Sequence, residues 1–400
     1  MHLIVLENEL TSLRGGQELN LFEVCQGLAH RGHSISLLYL EAGNLLEPYR
    51  RFCDRVIKIR SFGFDRRSLK DTLKFLPSLV QALSISTSSD SVVFSNDYHF
   101  SLFGYALSQF RNLPFLCYLQ IPPCDFNRQR KLGLSRVDRF IAVSHQTKRD
   151  WVEAGYSSDQ IDVVHNGVAL EKFQLRIDNG SMRRQWGIAE HTKLISYVGR
   201  IDTEKGLETL INAIAILCKQ GADVHVCLAG KPVVHYSHSK GQLCEQEGMK
   251  YQRSLEALAQ QLGVGDRIAF LGHLANPVSL YQASDITVLP SVWSEPFGRS
   301  LIESLACGTP VVASRIGGIP EVLTGEFAAH LFEPGDAKDL ASRFAQVLEW
   351  RDRDPQLCDR ARHHVVKHFS HTSMIEGVER SILKTVPFSQ ASTRIRQASP

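Results

Sequence analysis

Four hundred residues are two to three times the length of a typical single domain, and they predict two domains. An apolar fraction of 43% and a charged fraction of 22% exclude a wholly disordered, collagen-like or coiled-coil chain. A net charge of +3 on 45 basic and 42 acidic residues excludes a histone-like polycation; no nucleic-acid partner is expected, and any polyanion has to be met by a local patch.

The chain opens on MHLIVLENEL, a short apolar start followed at once by Glu7 and Glu9. A signal peptide needs a basic start and a longer apolar run, so the opening reads as a strand and the protein as cytoplasmic. No window approaches the ~18 apolar residues of a membrane-spanning helix. Strands are predicted at Leu3–Leu6, Ile35–Leu40, Arg55–Ile59, Ser91–Ser95, Phe115–Leu119, Arg139–Val143 and Ile161–Val164. Between them runs helical periodicity, as where Phe75, Leu79 and Leu83 share a face. Such alternation predicts a parallel sheet covered by helices.

The polar, turn-rich stretch LRIDNGSMRRQWG, within residues 170–190, breaks the pattern, which then restarts. Lys193–Val198, Val224–Ala229, Ile268–Leu271, Ile286–Leu289 and Pro310–Ala313 read as strands, and Leu207, Leu210, Ile211, Ile214 and Cys218 line one helix face. The fold class is therefore α/β: residues 1–178 form one Rossmann-like, doubly wound domain and 179–386 a second, whose last helices are candidates to pack back on the first. Residues 231–250 read as a polar surface loop and 387–400 as a flexible tail. The nine cysteines include no C-x-x-C pair and are odd in number, which reads as reduced core thiols rather than a zinc site. His363–His364 lies in a basic helical stretch and reads as solvated.

In doubly wound sheets ligands bind at the carboxyl ends of strands. Three segments qualify. Gly15–Gly16 lies between the first strand and a helix beginning near Gln17; a glycine pair lets a backbone approach a ligand, and alone it is equally a simple turn. In GRIDTEKG, residues 199–206, Arg200 and Lys205 bracket a turn that opens a helix, either a diphosphate clamp or solvated charges. In SEPFGRSLIESLACGTPVVAS, residues 294–314, Pro296 and Gly298 set up a helix whose first amides, around Gly298, Arg299, Ser300 and Leu301, can bind an anion. Glu295 and Glu303 stand in an E-x7-E spacing around that turn, and a carboxylate there can accept hydrogen bonds from a vicinal diol.

These residues carry a resemblance. GRIDTEKG resembles the GR…EKG turn, and EPFGRSLIE the E-x7-E signature, of the family-4 glycosyltransferases, retaining enzymes of the GT-B type. ACGTPVVASRIGGIPEV (306–322), HNGVALEKF (165–173) and AVSHQTKRDW (from Ala142) resemble further family segments. The resemblance implies two Rossmann-like domains facing across a cleft. It also implies transfer from a nucleotide-diphosphate sugar to a hydroxyl acceptor (a glycan, a lipid-linked or a small molecule), as in cell-surface polysaccharide or glycoconjugate biosynthesis. Arg200 and Lys205 would hold the donor diphosphate, with the Ser300 and Leu301 amides and Gly15–Gly16 at the phosphates. Glu303 would hold the ribose; Glu295 and the backbone of Phe297–Gly298 would contact the sugar. No metal or other cofactor is implied, because cations and a helix N-terminus neutralise the leaving group.

One departure stands out. Where family members commonly place a histidine, this chain has Gln120, which can hydrogen-bond sugar hydroxyls but cannot act as a general base. Asp97 and His99 follow the neighbouring strand and are candidates for the acceptor side. Arg50, Arg51, Arg55, Lys58, Arg60, Arg66, Arg67, Lys70 and Lys74, against Asp54, Asp65 and Asp71, give residues 50–74 a net +6. Arg128, Arg130, Lys131, Arg136 and Arg139 form a second basic stretch. Both read either as solvated faces or as contacts for anionic lipid or a phosphorylated acceptor, and Phe62, Phe64 and Phe75 keep a peripheral membrane contact open. The competing functions are a catalytically weak sugar-nucleotide-binding partner of another transferase, a sugar sensor, and a pyridoxal-dependent phosphorylase.

Overall fold

The computed structural model describes residues 1–13, 15–63, 69–124, 126–175, 180–237 and 242–386. The chain divides into two units. The first comprises Met1–Val143, Thr147–Val164 and the chain from Met374; the second comprises Ser144–Gln146 and His165–Ser373. The expected 178/179 boundary, the tail 387–400, and Phe64, Asp65, Arg66 and Arg67 of the basic stretch lie outside the described residues, as do the side chains of Lys70 and Asp71.

The first unit is built on seven strands: β1 (His2–Glu9), β2 (Ser34–Glu41), β3 (Arg55–Lys58), β4 (Ser91–Ser95), β5 (Phe115–Leu119), β6 (Arg139–Ala142) and β7 (Ile161–Val163). Their order is β3-β2-β1-β4-β5-β6-β7, with every pairing parallel. Leu3, Ile4, Val5 and Leu6 are all fully buried. The run does not alternate because a parallel strand is covered on both faces. Each such side chain contributes on the order of 1.5–3 kcal/mol by leaving water. Phe62, Phe103, Phe115, Phe140 and Trp151 fill the core on one side of this sheet. The helix Leu69–Leu83 buries Phe75 and Leu79 against that core, but leaves Leu73, Leu76 and Val80 exposed.

The second unit contains β8 (Lys193–Val198), β9 (Val224–Ala229), β10 (Val234–Ser237), β11 (Gln242–Cys244), β12 (Ile268–Gly272), β13 (Ile286–Leu289), β14 (Val311–Ser314) and β15 (Leu331–Phe332). Six of them form a parallel sheet in the order β12-β9-β8-β13-β14-β15. Residues 238–241 of the expected surface loop 231–250 lie outside the described residues, and the described remainder is not a loop. β10 and β11 pair antiparallel, with Val234 opposite Cys244, and a helix begins at Glu245. Backbone pairing across a hairpin needs no apolar run, so composition hid it. The two-residue β15 escaped for its shortness. His364 is also not solvated: its Nε2 lies 2.8 Å from the Val322 carbonyl and its ring packs on Phe327.

Asp285, just before β13, anchors the end of the second sheet remote from the strands' carboxyl termini. Its carboxylate accepts from Arg183 Nη2 (2.6 Å), Arg351 Nε (2.6 Å) and the Leu194 amide (2.8 Å), while its carbonyl accepts from the Trp350 indole. It is 2% exposed. Asp285→Ala leaves two guanidinium groups without their carboxylate. It is expected to cost on the order of 3–5 kcal/mol, read as a lowered urea midpoint and melting temperature, whereas Asp285→Asn keeps part of the network and loses less.

Candidate active site

In each sheet the strand order reverses once, between β1 and β4 in the first unit and between β8 and β13 in the second. A crevice opens outside the carboxyl ends at such a switch point. The residues of interest follow these four strands.

In the second unit the turn after β8 is fastened to the turn after β13. The Val292 amide donates to the Glu204 carbonyl at 3.0 Å. Gly206, at φ +62°, caps the helix Leu207–Lys219, and a Cβ on it would lie 2.1 Å from the Pro290 carbonyl oxygen. Across this seam Lys205 Nζ meets Glu295 Oε2 at 2.5 Å, and the Ser291 hydroxyl donates to the same oxygen at 3.1 Å. Burial pushes the Glu295 carboxyl up, but Lys205, Ser291 and Arg200 outweigh it and hold the group below its ordinary value. The ionised pair therefore stabilises the fold fully above pH 4.5 and is lost as pH falls through the lowered value. Arg200 lies 3.4 Å from Asp202 Oδ2 and 3.6 Å from Glu204 Oε2. The two cations read as a diphosphate clamp or as solvated charges thus each face carboxylates.

Gly317 and Gly318 back the turn that carries Glu295. The Gly318 amide donates to the Glu295 carbonyl at 2.7 Å, and a Cβ at Gly317 or Gly318 would lie 2.3 Å from the Glu295 carbonyl or 2.2 Å from the Pro296 carbonyl. After this turn Gly298 opens the helix Arg299–Ala306 without a side-chain cap, so the first amides lack intrahelical partners. The Leu301 amide turns back on the Gly298 carbonyl at 3.0 Å, which takes it out of the expected phosphate set; Ser300 stays half-buried beside it. Glu303 is buried, and its two oxygens accept from Arg299 Nε (2.8 Å) and the Tyr281 hydroxyl (2.9 Å). Phe297 is buried with its ring 5.6 Å from that of His165.

In the first unit Gly15 is exposed and caps the helix Gly16–His30 in extended conformation. Gln120 follows β5 but points into a buried polar cluster. Its amide donates to Asn96 Oδ1 (2.5 Å) and the Gln17 carbonyl (3.1 Å), and accepts from Asn20 (2.9 Å). Asn96 in turn donates to Glu7 Oε2 at 2.6 Å. Burial, joined by the charge of Glu18, pushes the Glu7 carboxyl well above its ordinary value despite hydrogen bonds from Asn8 and Asn96. Both donors of Gln120 are therefore used within the unit. His99 Nδ1 lies 2.5 Å from Asp97 Oδ1. Burial pushes the Asp97 carboxyl up, but His99 outweighs it and the group sits below its ordinary range.

Sequence reasoning missed Tyr281, Ser291, Asn20 and Asn96, and gave no role to Glu7, Gly317 or Gly318. It also missed Trp293, whose buried indole nitrogen has no hydrogen-bond partner. The Gly-Gly of RIGGIPEV was the available signal for the turn's backing. All nine cysteines are free, four of them buried, and burial pushes Cys227 and Cys307 up to about 12, the state of inert thiols. Gly206→Ala puts a side chain at positive φ against a carbonyl. It is expected to lower the melting temperature, with a loss on the order of 1–3 kcal/mol, read by thermal denaturation followed by circular dichroism.

Residues 14–172 match the family profile described as Glycosyltransferase Family 4, and residues 178–364 the profile described as Glycosyl transferases group 1. A D-inositol 3-phosphate glycosyltransferase of Mycolicibacterium smegmatis is 30% identical over 249 residues, covering 61% of this chain and 52% of the relative. An N-acetyl-alpha-D-glucosaminyl L-malate synthase of Bacillus anthracis is 26% identical over 255 residues, covering 64% and 62%. The chain thus spans about half to three fifths of the length of these relatives. Among solved structures, Anabaena Alr3699/HepE in complex with UDP and glucose superposes with a TM-score of 0.80 at 21% identity, covering 96% of this chain and 100% of that one. The two profiles account for most of both units, and the chain belongs to the family-4 glycosyltransferases, with the two-domain GT-B fold.

Proposed function

We propose that the chain is a retaining glycosyltransferase, working in the cytoplasm without a metal in its chemistry. It would move a sugar from a nucleotide-diphosphate sugar to a hydroxyl acceptor in cell-surface polysaccharide or glycoconjugate biosynthesis. The observation that carries this reading is the Lys205–Glu295 pair, held at the carboxyl ends of β8 and β13 beside the open N-terminus of the helix Arg299–Ala306. The names of the two relatives, and the UDP and glucose in the HepE complex, support it.

In this reading Arg200, Lys205 and the first amides of that helix take the donor diphosphate, and Glu303 the ribose. Glu295 and the backbone of Phe297–Gly298 take the sugar. As the bond from the anomeric carbon to the phosphate oxygen breaks, the cations and the helix terminus meet the developing charge. The acceptor oxygen bonds to the anomeric carbon on the same face, and its proton passes to the departing phosphate, so no protein base is needed. Gln120, with both donors engaged, then positions the Gln17 end of the helix Gly16–His30 rather than a sugar hydroxyl; Asp97 and His99 remain the acceptor-side candidates.

The test is product analysis with the nucleotide sugar that most raises the melting temperature. Proton NMR of the first-formed product is expected to show an α-glycoside from an α-linked donor, formed equally well in excess chelator. Lys205→Ala and Glu303→Ala should each cost on the order of 10²–10³ in kcat/KM with far-UV circular dichroism unchanged. A β-glycoside, or near-normal turnover in either variant, overturns the assignment.

A peripheral contact with anionic membrane fits the first unit. Among the described residues no helix is long and apolar enough to cross a membrane. The outer stripe of the helix Leu69–Leu83 exposes Leu73, Leu76 and Val80, and Lys58, Arg60 and Lys74 line one depression beside it. Part of the basic charge is spent internally, Lys58 on Glu41, which lines the same depression, Arg50 on Glu47 and Arg139 on Asp162. Sedimentation is expected with phosphatidylglycerol vesicles but not with phosphatidylcholine vesicles. Leu76→Glu should release the protein, and equal binding to both vesicles would remove the contact.

A further inference from the structure

We propose that His145, His165 and Glu321 form a binding site for one divalent transition cation of the Zn²⁺ type. All three residues belong to the second unit, since Ser144–Gln146 is grouped with it. Among the described residues theirs is the one group of three metal-capable side chains brought together, with one donor atom from each lying within 4.8 Å of the others. None of the three has a part in the donor chemistry proposed above, and the site stands whether or not that reading holds.

The geometry is close to what a cation needs. His165 Nε2 and Glu321 Oε2 are 3.0 Å apart. Two ligands at about 2.0–2.1 Å from zinc in a tetrahedral arrangement sit about 3.3 Å apart, so this pair has to open by only about 0.3 Å. His145 supplies the third ligand. It is exposed, so turning it inward displaces solvent and disturbs no core. The Glu321 carboxylate is already oriented, because the His145 amide donates to Oε2 and the Gln146 amide to Oε1, each at 2.7 Å. Each oxygen keeps a further lone pair for a metal, and such outer hydrogen bonds are how ligating carboxylates are held. The ring of His165 packs 5.6 Å from that of Phe297 and 5.8 Å from that of Phe369, an apolar wall on the inner side.

Two imidazoles and one carboxylate select borderline cations such as Zn²⁺, Co²⁺ or Ni²⁺ over Mg²⁺ or Ca²⁺, and three protein ligands leave a fourth position for water. The cation takes the place of the proton between Nε2 and Oε2. A neutral His165 keeps its proton on Nδ1, and a charged one releases one proton to solvent. Bound there, the cation ties Glu321 to His165 behind Gly317–Gly318, which back the turn carrying Glu295. Its effect falls on stability rather than on bond breaking.

The full chain, stripped with chelator and dialysed against micromolar Zn²⁺ or against Mg²⁺, provides the test. One equivalent of zinc is expected by elemental mass spectrometry, with a raised melting temperature, and neither with Mg²⁺. His145→Ala, which touches only an exposed side chain, should weaken binding on the order of tenfold or more and abolish the thermal shift, with circular dichroism and the metal-free melting temperature unchanged. His165→Ala should likewise weaken zinc binding and abolish the thermal shift, from a metal-free melting temperature already lowered by the lost contacts with Glu321, Phe297 and Phe369. Because nine cysteines are present, Co²⁺ is the control for ligand type: a visible spectrum without a thiolate charge-transfer band supports the site. Absence of bound zinc, wild-type zinc affinity in both histidine variants, or a thiolate band each overturns it.

Discussion

The second unit depends on one backbone seam. The Glu204 carbonyl and the Val292 amide join the turn after β8 to the turn after β13, and Gly206 lets the two chains touch at Pro290. These strands are neighbours in the sheet although 87 residues of sequence lie between Val198 and Ile286. Parallel pairing alone brings their ends near each other; the seam fixes them to within a hydrogen bond. Lys205 and Glu295 then meet at 2.5 Å, because the seam holds the two turns that carry them within reach of each other.

The first unit solves a different problem at its own switch point. Glu7, Asn20, Asn96 and Gln120 are all buried, and buried polar groups are costly unless they find one another. They do so in a chain that runs from Glu7 through Asn96 to Gln120 and Asn20. The Glu7 carboxyl sits well above its ordinary range because burial and Glu18 disfavour its charge. A histidine in place of Gln120 could not supply two donors and an acceptor in the same directions. The glutamine is thus matched to Asn96, Asn20 and the Gln17 carbonyl.

Much of this was legible beforehand. Strand positions followed from short apolar runs, since parallel strands buried on both faces carry the least ambiguous sequence signal. Ser91–Ser95, Phe115–Leu119, Lys193–Val198, Val224–Ala229 and Ile286–Leu289 were read to the residue. The GRIDTEKG and E-x7-E segments were legible because their glycines, cations and carboxylates sit close together in sequence. What escaped was pairing at long range. Nothing local to Tyr281 announces a hydrogen bond to Glu303, 22 residues away; Asp202 and Glu204, by contrast, stand two and four residues from Arg200 and face it, a local signal that the reading of the cations as a clamp left unused. The hairpin β10–β11 escaped because backbone hydrogen bonds between polar residues leave no hydrophobic period.

Those unforeseen acids change what the cations can do. Arg200 and Lys205 stand among Asp202, Glu204 and Glu295, three carboxylates against two positive charges. The group is therefore not a bare electropositive patch waiting for phosphate. Lysine has three ammonium donors, and only one is used by Glu295 Oε2; the other two can reach a ligand while the ion pair survives. Glu295 thus orients Lys205 instead of consuming it. Its low-lying carboxyl keeps that orienting charge in place across the neutral range. The remaining positive potential comes from the helix N-terminus after Gly298, worth about half an elementary charge. In the proposed reading, a site balanced in this way would hold polyanions weakly when nothing else about them fits. Its strong contacts would go to a ligand that brings its negative charge to the ammonium and the helix amides at once.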